Sequence, residues 1–134
     1  MLYILRSENK ISGNSNDFTI QINNNHLINK DKKHKVFMKT IIPIGIENNK
    51  YIEVEIKGLG SSFIYDTSTG NFESNVAKYY FHTASEKTIY YPKIELESLD
   101  LSMIDIKVFN LTDNTLAALD EIIFVFELQE DYTS

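Results

Sequence analysis

Tyr51-Ile52-Glu53-Val54-Glu55-Ile56-Lys57 decides the fold class. Ile52, Val54 and Ile56 recur every second residue, with Glu53 and Glu55 between them. Successive side chains of a strand point to opposite faces. The segment therefore offers one apolar face to a core and one solvated face carrying the two glutamates. Met103-Ile104-Asp105-Ile106-Lys107-Val108 repeats the design, and Phe18, Ile20 and Ile22 alternate with Thr19 and Gln21. Residues 36–42 and 122–128 are apolar on both faces, which predicts strands covered more completely by the rest of the molecule. Residues 2–6, 62–65, 78–82 and 88–91 add shorter runs rich in aromatic and β-branched side chains, the types that favour strands.

These runs amount to about nine short strands separated by polar breakers, a spacing that predicts a sandwich or barrel. The breakers include Ser12-Gly13-Asn14-Ser15-Asn16 and Asn23-Asn24-Asn25. Helical periodicity is scarce. Thr115-Leu116-Ala117-Ala118-Leu119-Asp120 reads as a loop before a strong strand, and residues 73–78 as room for a short turn. Pro43 is expected to end one strong strand and Pro92 to end or kink another, since neither can donate to a sheet ladder. With 134 residues and 43% hydrophobic content, the chain is long enough for one self-sufficient core. There is no internal repeat and no linker, so one domain spanning residues 1–134 is expected.

Charge is unevenly spread within the net −6. Residues 1–94 hold 12 Lys/Arg against 9 Asp/Glu, whereas residues 95–134 hold Lys107 alone against 10 acids. The basic maximum is Lys30, Lys32, Lys33, Lys35 and Lys39. Read blandly it is a solvated loop leading into a strand. Read sharply, it is a basic loop on one copy that meets the acidic C-terminal surface of another, with steering by complementary charge. Arg6 is the sole arginine and the net field repels phosphate, which argues against direct reading of nucleic acid. The opening Met1–Arg6 lacks the length and basic leader of a signal peptide. No apolar run approaches the roughly 18–20 residues of a membrane helix. A soluble, unprocessed chain is expected, and Asn110-Leu111-Thr112 is read as a chance glycosylation pattern.

No reaction can be assembled from the remaining residues. The absence of cysteine excludes disulfides, thiolate metal sites and cysteine nucleophiles. His26, His34 and His82 show no paired ligand spacing, so no metal site is expected and each is read as a surface residue. Gly58-Leu59-Gly60-Ser61-Ser62 lacks the lysine of a P-loop and the third glycine of a dinucleotide fingerprint, and reads as a turn. Glu53/Glu55 and Glu95/Glu97 share faces of strands, where paired-acid chemistry is conceivable but a solvated sheet face is the plainer reading. Asp113, Asn114, Asp120 and Glu121 do not follow EF-hand spacing. Alternate rings of Tyr79-Tyr80-Phe81 and Tyr90-Tyr91 must face outward, where tyrosine stacks on sugars or anchors subunit contacts. No cofactor and no enzymatic activity are expected.

Several segments together carry a resemblance. Leu5-Arg6-Ser7-Glu8-Asn9 precedes Ser15-Asn16-Asp17-Phe18-Thr19-Ile20-Gln21-Ile22. After the lysine loop come Val36-Phe37-Met38-Lys39-Thr40-Ile41-Ile42-Pro43 and, after Asn48-Asn49, the strand beginning at Tyr51. Near the end, Ile104-Asp105-Ile106-Lys107-Val108-Phe109 leads through Asn110-Leu111-Thr112-Asp113-Asn114 to Asp120-Glu121-Ile122-Ile123-Phe124-Val125-Phe126-Glu127-Leu128. The chain resembles the small single jelly-roll minor capsid, or penton-like, proteins of virophages, polinton-like viruses and related large DNA viruses. One departure is Asn114, which stands where such turns often place glycine.

The resemblance implies an all-β single jelly-roll sandwich of two antiparallel four-stranded sheets. It implies a virion protein that forms a homo-oligomer, a pentamer before a trimer, and touches other capsid proteins without entering a membrane. Lys32, Lys33 and Lys35 on the basic side, with Asp120 and Glu121 on the acidic side, are the subunit contacts expected. The rival reading is a jelly-roll glycan- or receptor-binding module that uses exposed tyrosines and loop carboxylates. An enzyme with a dispersed carboxylate pair is a third.

Overall fold

A computed structural model describes residues 2–22, 34–59, 64–73, 76–84, 88–90, 94–96 and 103–130. Thirteen strands run through them: β1 (Leu2–Arg6), β2 (Ser12–Asn14), β3 (Asp17–Gln21), β4 (His34–Ile44), β5 (Tyr51–Lys57), β6 (Ile64–Asp66), β7 (Asn71–Glu73), β8 (Val76–His82), β9 (Thr88–Tyr90), β10 (Ile94–Leu96), β11 (Met103–Asn110), β12 (Thr115–Leu116) and β13 (Glu121–Glu130). A 3-10 turn at Ser7–Asn9 is the one helical element among the described residues. The protein is all-β, as its period-2 patterns predict.

Two antiparallel sheets form a β-sandwich. One has the order β1-β13-β4-β10. The other has the order β2-β3-β11-β5-β8-β9, with β12 added to β11, while β6 and β7 pair with each other. Leu5, Val36, Met38, Phe124 and Phe126 from the first sheet join Ile52, Val54, Ile56, Tyr79 and Ile106 from the second in one buried cluster. Cross-strand register explains the cluster. Val54 lies opposite both Val108 and Tyr79, and Ile56 lies opposite Ile106 and Ala77. A one-residue slip of β5 would turn Ile52, Val54 and Ile56 to the outer face, at about 1.5–3 kcal/mol for each side chain taken out of the core.

Taken in chain order, β1, β3, β4, β5, β8, β10, β11 and β13 cross repeatedly between the sheets. The first, third, sixth and eighth of them build one sheet, and the second, fourth, fifth and seventh lie in the other. This interleaving places the chain's early and late strands side by side, β1 on β13 and β3 on β11.

The strand β4 carries the main irregularity. Its register against β13 shifts between Val125 and Phe126, which lie opposite Thr40 and Met38 and leave Lys39 as the extra residue. This β-bulge resets the alternation: His34, Val36 and Met38 face inward before it, and Ile41 after it. Pro43 lies inside β4, opposite Ile122, instead of ending the strand. Among the described residues β10 flanks β4 only along His34–Val36, so Pro43 occupies an edge position where a missing N–H is tolerated.

Other expectations change. Ser12–Asn14 belongs to a strand paired with β3 instead of a breaker. Glu73 ends β7 and Val76 to Lys78 open β8, so of the turn expected over residues 73–78 only residues 74–75 lie between the strands, outside the described residues. Strand Ile94–Leu96 is marked in the sequence only by the Glu95/Glu97 alternation, of which Glu97 lies outside the described residues. The second sheet exceeds four strands because β2, β9 and β12 extend it. Asn23-Asn24-Asn25, Gly60-Ser61-Ser62 and Pro92 lie outside the described residues.

Candidate interaction surface

The outer face of the four-stranded sheet is unexpectedly apolar. Register fixes its rows. Ile4 lies opposite Val125, which lies opposite Thr40. One step along, Arg6, Ile123 and Ile42 form the next row, and on the other side Leu2, Glu127 and Phe37 form a third. Each named side chain differs by an odd number from inward-facing Leu5, Phe124 and Ile41 or, before the bulge, Met38, and therefore points out.

Leu2 and Ile4 are more than half exposed, at 58% and 53%, and Ile42 and Ile44 at 43% each. Residues 36–42 and 122–128 are thus not covered on both faces within this chain, contrary to the expectation from their composition. The sheet buries one apolar face and leaves the other to solvent. Contiguous exposed apolar patches on soluble proteins mark interaction sites.

Charges frame this patch. Lys39, lifted by the bulge, sits 3.3 Å from a Glu127 carboxylate oxygen and over the Phe37 ring. The Gln129 amide and then the Lys39 ammonium hold the Glu127 carboxyl below its ordinary range. Arg6, at the opposite end of β1 from Leu2, is exposed, and its side chain has neither hydrogen bond nor ion pair among the described residues.

The charged residues singled out in the sequence are not brought together. Lys35, the second residue of β4, lies opposite Gln129 and Glu95. Glu121 lies opposite Ile44 at the far end of the same strand, nine residues and about 30 Å away along a strand. Asp120 immediately precedes it, with its backbone N–H donating to the Ile44 carbonyl at 2.8 Å. The Asp120 carboxylate packs on Gly45, whose φ of +72° and missing Cβ make room for it. Lys32 and Lys33 lie outside the described residues.

The histidines also depart from expectation. His34 is buried, because the alternation that turns Val36 and Met38 inward does the same to His34. His82, half-buried at the end of β8, packs edge-on against Tyr51, with ring centroids 4.6 Å apart. His26 lies outside the described residues. Among those described, no group of three or more His, Asp or Glu is placed to hold a metal ion, and no helix is long and apolar enough to cross a membrane.

The outer face of the second sheet corrects a further reading. Glu53 is buried instead of solvated, and so is Lys78 on the neighbouring strand. The Tyr80 hydroxyl donates to Glu53 Oε1 at 3.0 Å. Glu55 is half-buried, 3.7 Å from the Lys57 ammonium.

The chain matches no protein-family model, no curated protein and no solved structure.

The apolar outer face had a sequence signal. Leu2, Ile4, Ile42, Ile44, Ile123 and Val125 occupy the second face of strands whose first face already suffices for the core. Composition places all of these but Ile44 in strands, though not in relation to one another, because that requires the order β1-β13-β4.

Proposed function

We propose that this chain is a structural jelly roll of the penton-like or other minor capsid type, which self-assembles and contacts other capsid proteins in a virion. The observation that carries the reading is the strand order. Numbered one to eight in chain order, β1, β3, β4, β5, β8, β10, β11 and β13 stand as 1-8-3-6 in one sheet and as 2-7-4-5 within the other. Two interleaved Greek keys of a jelly roll have this arrangement, and capsid proteins are among its principal users. Lectins and cupins use it too, so the fold narrows the role without naming it. The separation of Lys35 from Asp120 and Glu121 favours the assembling role. Unlike charges at opposite ends of a sheet complement each other head to tail, and a head-to-tail contact whose rotation closes builds a ring.

A glycan- or receptor-binding module is the second reading. It is favoured by Tyr51, half-exposed on the outer face of β5 and set against His82. Light scattering and negative-stain microscopy of the purified chain separate the two. A closed pentamer or trimer without affinity across a glycan panel is expected. A strict monomer that binds a glycan overturns the capsid reading.

A further inference from the structure

We propose that the exposed face of the β1-β13-β4 sheet is a two-fold interface with a second copy of this chain, closed by Arg6 of each copy on Glu127 of the other. Charge is arranged around the apolar rows as such an interface requires. The Ile4–Val125 row is the centre. Arg6 follows Ile4 by two residues, and Glu127 follows Val125 by two. Because β1 and β13 are antiparallel, these equal steps lead in opposite directions, placing one cation and one acid on opposite sides of the same apolar row.

A two-fold axis that crosses the strands at this row maps the Arg6 side of one sheet onto the Glu127 side of the other. Isologous contacts need this self-complementarity, in which residue i meets j and j meets i. Stacked sheets lie about 10 Å apart and neighbouring strands about 4.8 Å apart. The Arg6 and Glu127 backbones would then face each other across roughly 11 Å, which a guanidinium and a carboxylate on their side chains span together. The centre of the contact would be Ile4 and Val125 against their own copies, flanked by Leu2, Ile42 and Ile123.

Charge also selects a second copy over an unrelated apolar partner. Arg6 is the sole arginine of a chain with net charge −6, and it stands at the rim of the apolar face with no ion pair among the described residues. Glu127, its counterpart, already lies beside Lys39. A facing copy supplies Arg6 with a bidentate carboxylate partner, the geometry a guanidinium fits best. It supplies it twice, once for each half of the dimer. Two acidic molecules approaching at this face meet a cation, while the rest of their charge is screened beyond about 8 Å at physiological ionic strength.

The contact does not rest on the capsid reading, because it uses the sheet face and not the charged ends. Sedimentation velocity on Arg6→Glu, Glu127→Arg and their mixture tests it. The native chain is expected to associate through this face, as a dimer or, where ring contacts also form, as two rings joined face to face. Each variant alone faces like charges twice per dimer, two carboxylates or two guanidinium groups, so each is expected to weaken association at least about tenfold. An equimolar mixture sets the introduced glutamate of one variant against the introduced arginine of the other. It also sets the native Arg6 against the native Glu127, and is expected to restore association. Circular dichroism on each variant separates lost association from lost fold, and the restoration itself requires folded partners.

A native chain that stays monomeric overturns the proposal. So do variants that associate like the native chain, or a mixture that fails to recover. A ring that survives Arg6→Glu unchanged overturns the face contact and leaves the capsid reading standing. A dimer that never grows further does the reverse.

Discussion

Lys78 Nζ stands 3.9 Å from Glu53 Oε1, with both side chains almost wholly withdrawn from solvent. The pair lies on the outer face of its sheet, on adjacent strands, and the Tyr80 hydroxyl donates to the same carboxylate oxygen. A buried pair of this kind adds little stability over an apolar pair, but removing one partner is costly because the other charge stays buried.

Glu53→Ala is accordingly expected to cost about 3 kcal/mol, by taking the Glu53 carboxylate away from the buried Lys78 ammonium. Glu53→Leu combined with Lys78→Met is expected to cost less than Glu53→Ala alone, because neither charge remains. Urea denaturation of Glu53→Leu, Lys78→Met and their double closes the cycle. Additive losses would mean that the two groups do not interact across the strands.

This pair also shows what the sequence conveys and what it does not. The alternation in residues 51–57 locates Ile52, Val54 and Ile56 on the core side, and the structure agrees. It places Glu53 on the other side but carries no information on whether that side is wet, which depends on what the rest of the chain lays over it. The same gap works in reverse for Ile42, in a run whose composition implies cover that the chain does not provide. Short strands fail for another reason. Ser12–Asn14 holds no apolar residue and is a strand only because Asp17, Phe18 and Thr19 stand opposite it. The bulge at Lys39 hides the alternation of β4, since the inward positions change parity between Met38 and Ile41.

Gly45 and Asp120 form a second coupled pair. A Cβ at Gly45 would overlap the Asp120 carboxylate, and the backbone there lies at φ +72°. Gly45→Ala is expected to destabilise the protein through both effects, the left-handed backbone alone costing about 1 kcal/mol. Adding Asp120→Ala should relieve the steric part and leave the backbone part. The double variant is therefore expected to be more stable than the sum of the singles implies, read from thermal or urea unfolding. Strict additivity would show that the carboxylate moves aside without cost.

Ser7 ties the 3-10 turn to the last strand. Its hydroxyl accepts the backbone N–H of Ile122 at 2.9 Å, 115 residues further along the chain, and both residues are buried. The β1–β13 ladder reaches Arg6 opposite Ile123, so the Ser7 side chain continues it by one bond where the backbone of β1 turns away. Ser7→Ala removes the acceptor and leaves a buried N–H unsatisfied, a loss of about 1–3 kcal/mol. Hydrogen exchange at Ile122 is expected to accelerate in this variant. An unchanged rate and midpoint would mean that another acceptor replaces the hydroxyl.

Acid should weaken the fold through its turns. The Thr115 hydroxyl and then its N–H donate to Asp113 at 2.7 and 3.1 Å, holding that carboxyl below its usual 3.8. The Ser68 hydroxyl and N–H do the same for Asp66, at 2.7 and 2.8 Å. A carboxyl with a depressed folded pKa contributes stability above its unfolded pKa, and that contribution disappears as pH falls through the folded value. The native urea midpoint is therefore expected to fall progressively from about pH 5 towards pH 2. Asp113→Asn has no proton to gain at this site, so its midpoint should start lower near neutrality and decline less steeply, approaching the native one in acid. The Asp113 turn also holds Asn114 at φ 60°, a left-handed conformation that asparagine tolerates and which makes the expected glycine unnecessary. Parallel acid profiles for the native chain and Asp113→Asn would show that the turn keeps its hydrogen bonds in the unfolded chain and contributes nothing to the pH dependence of folding.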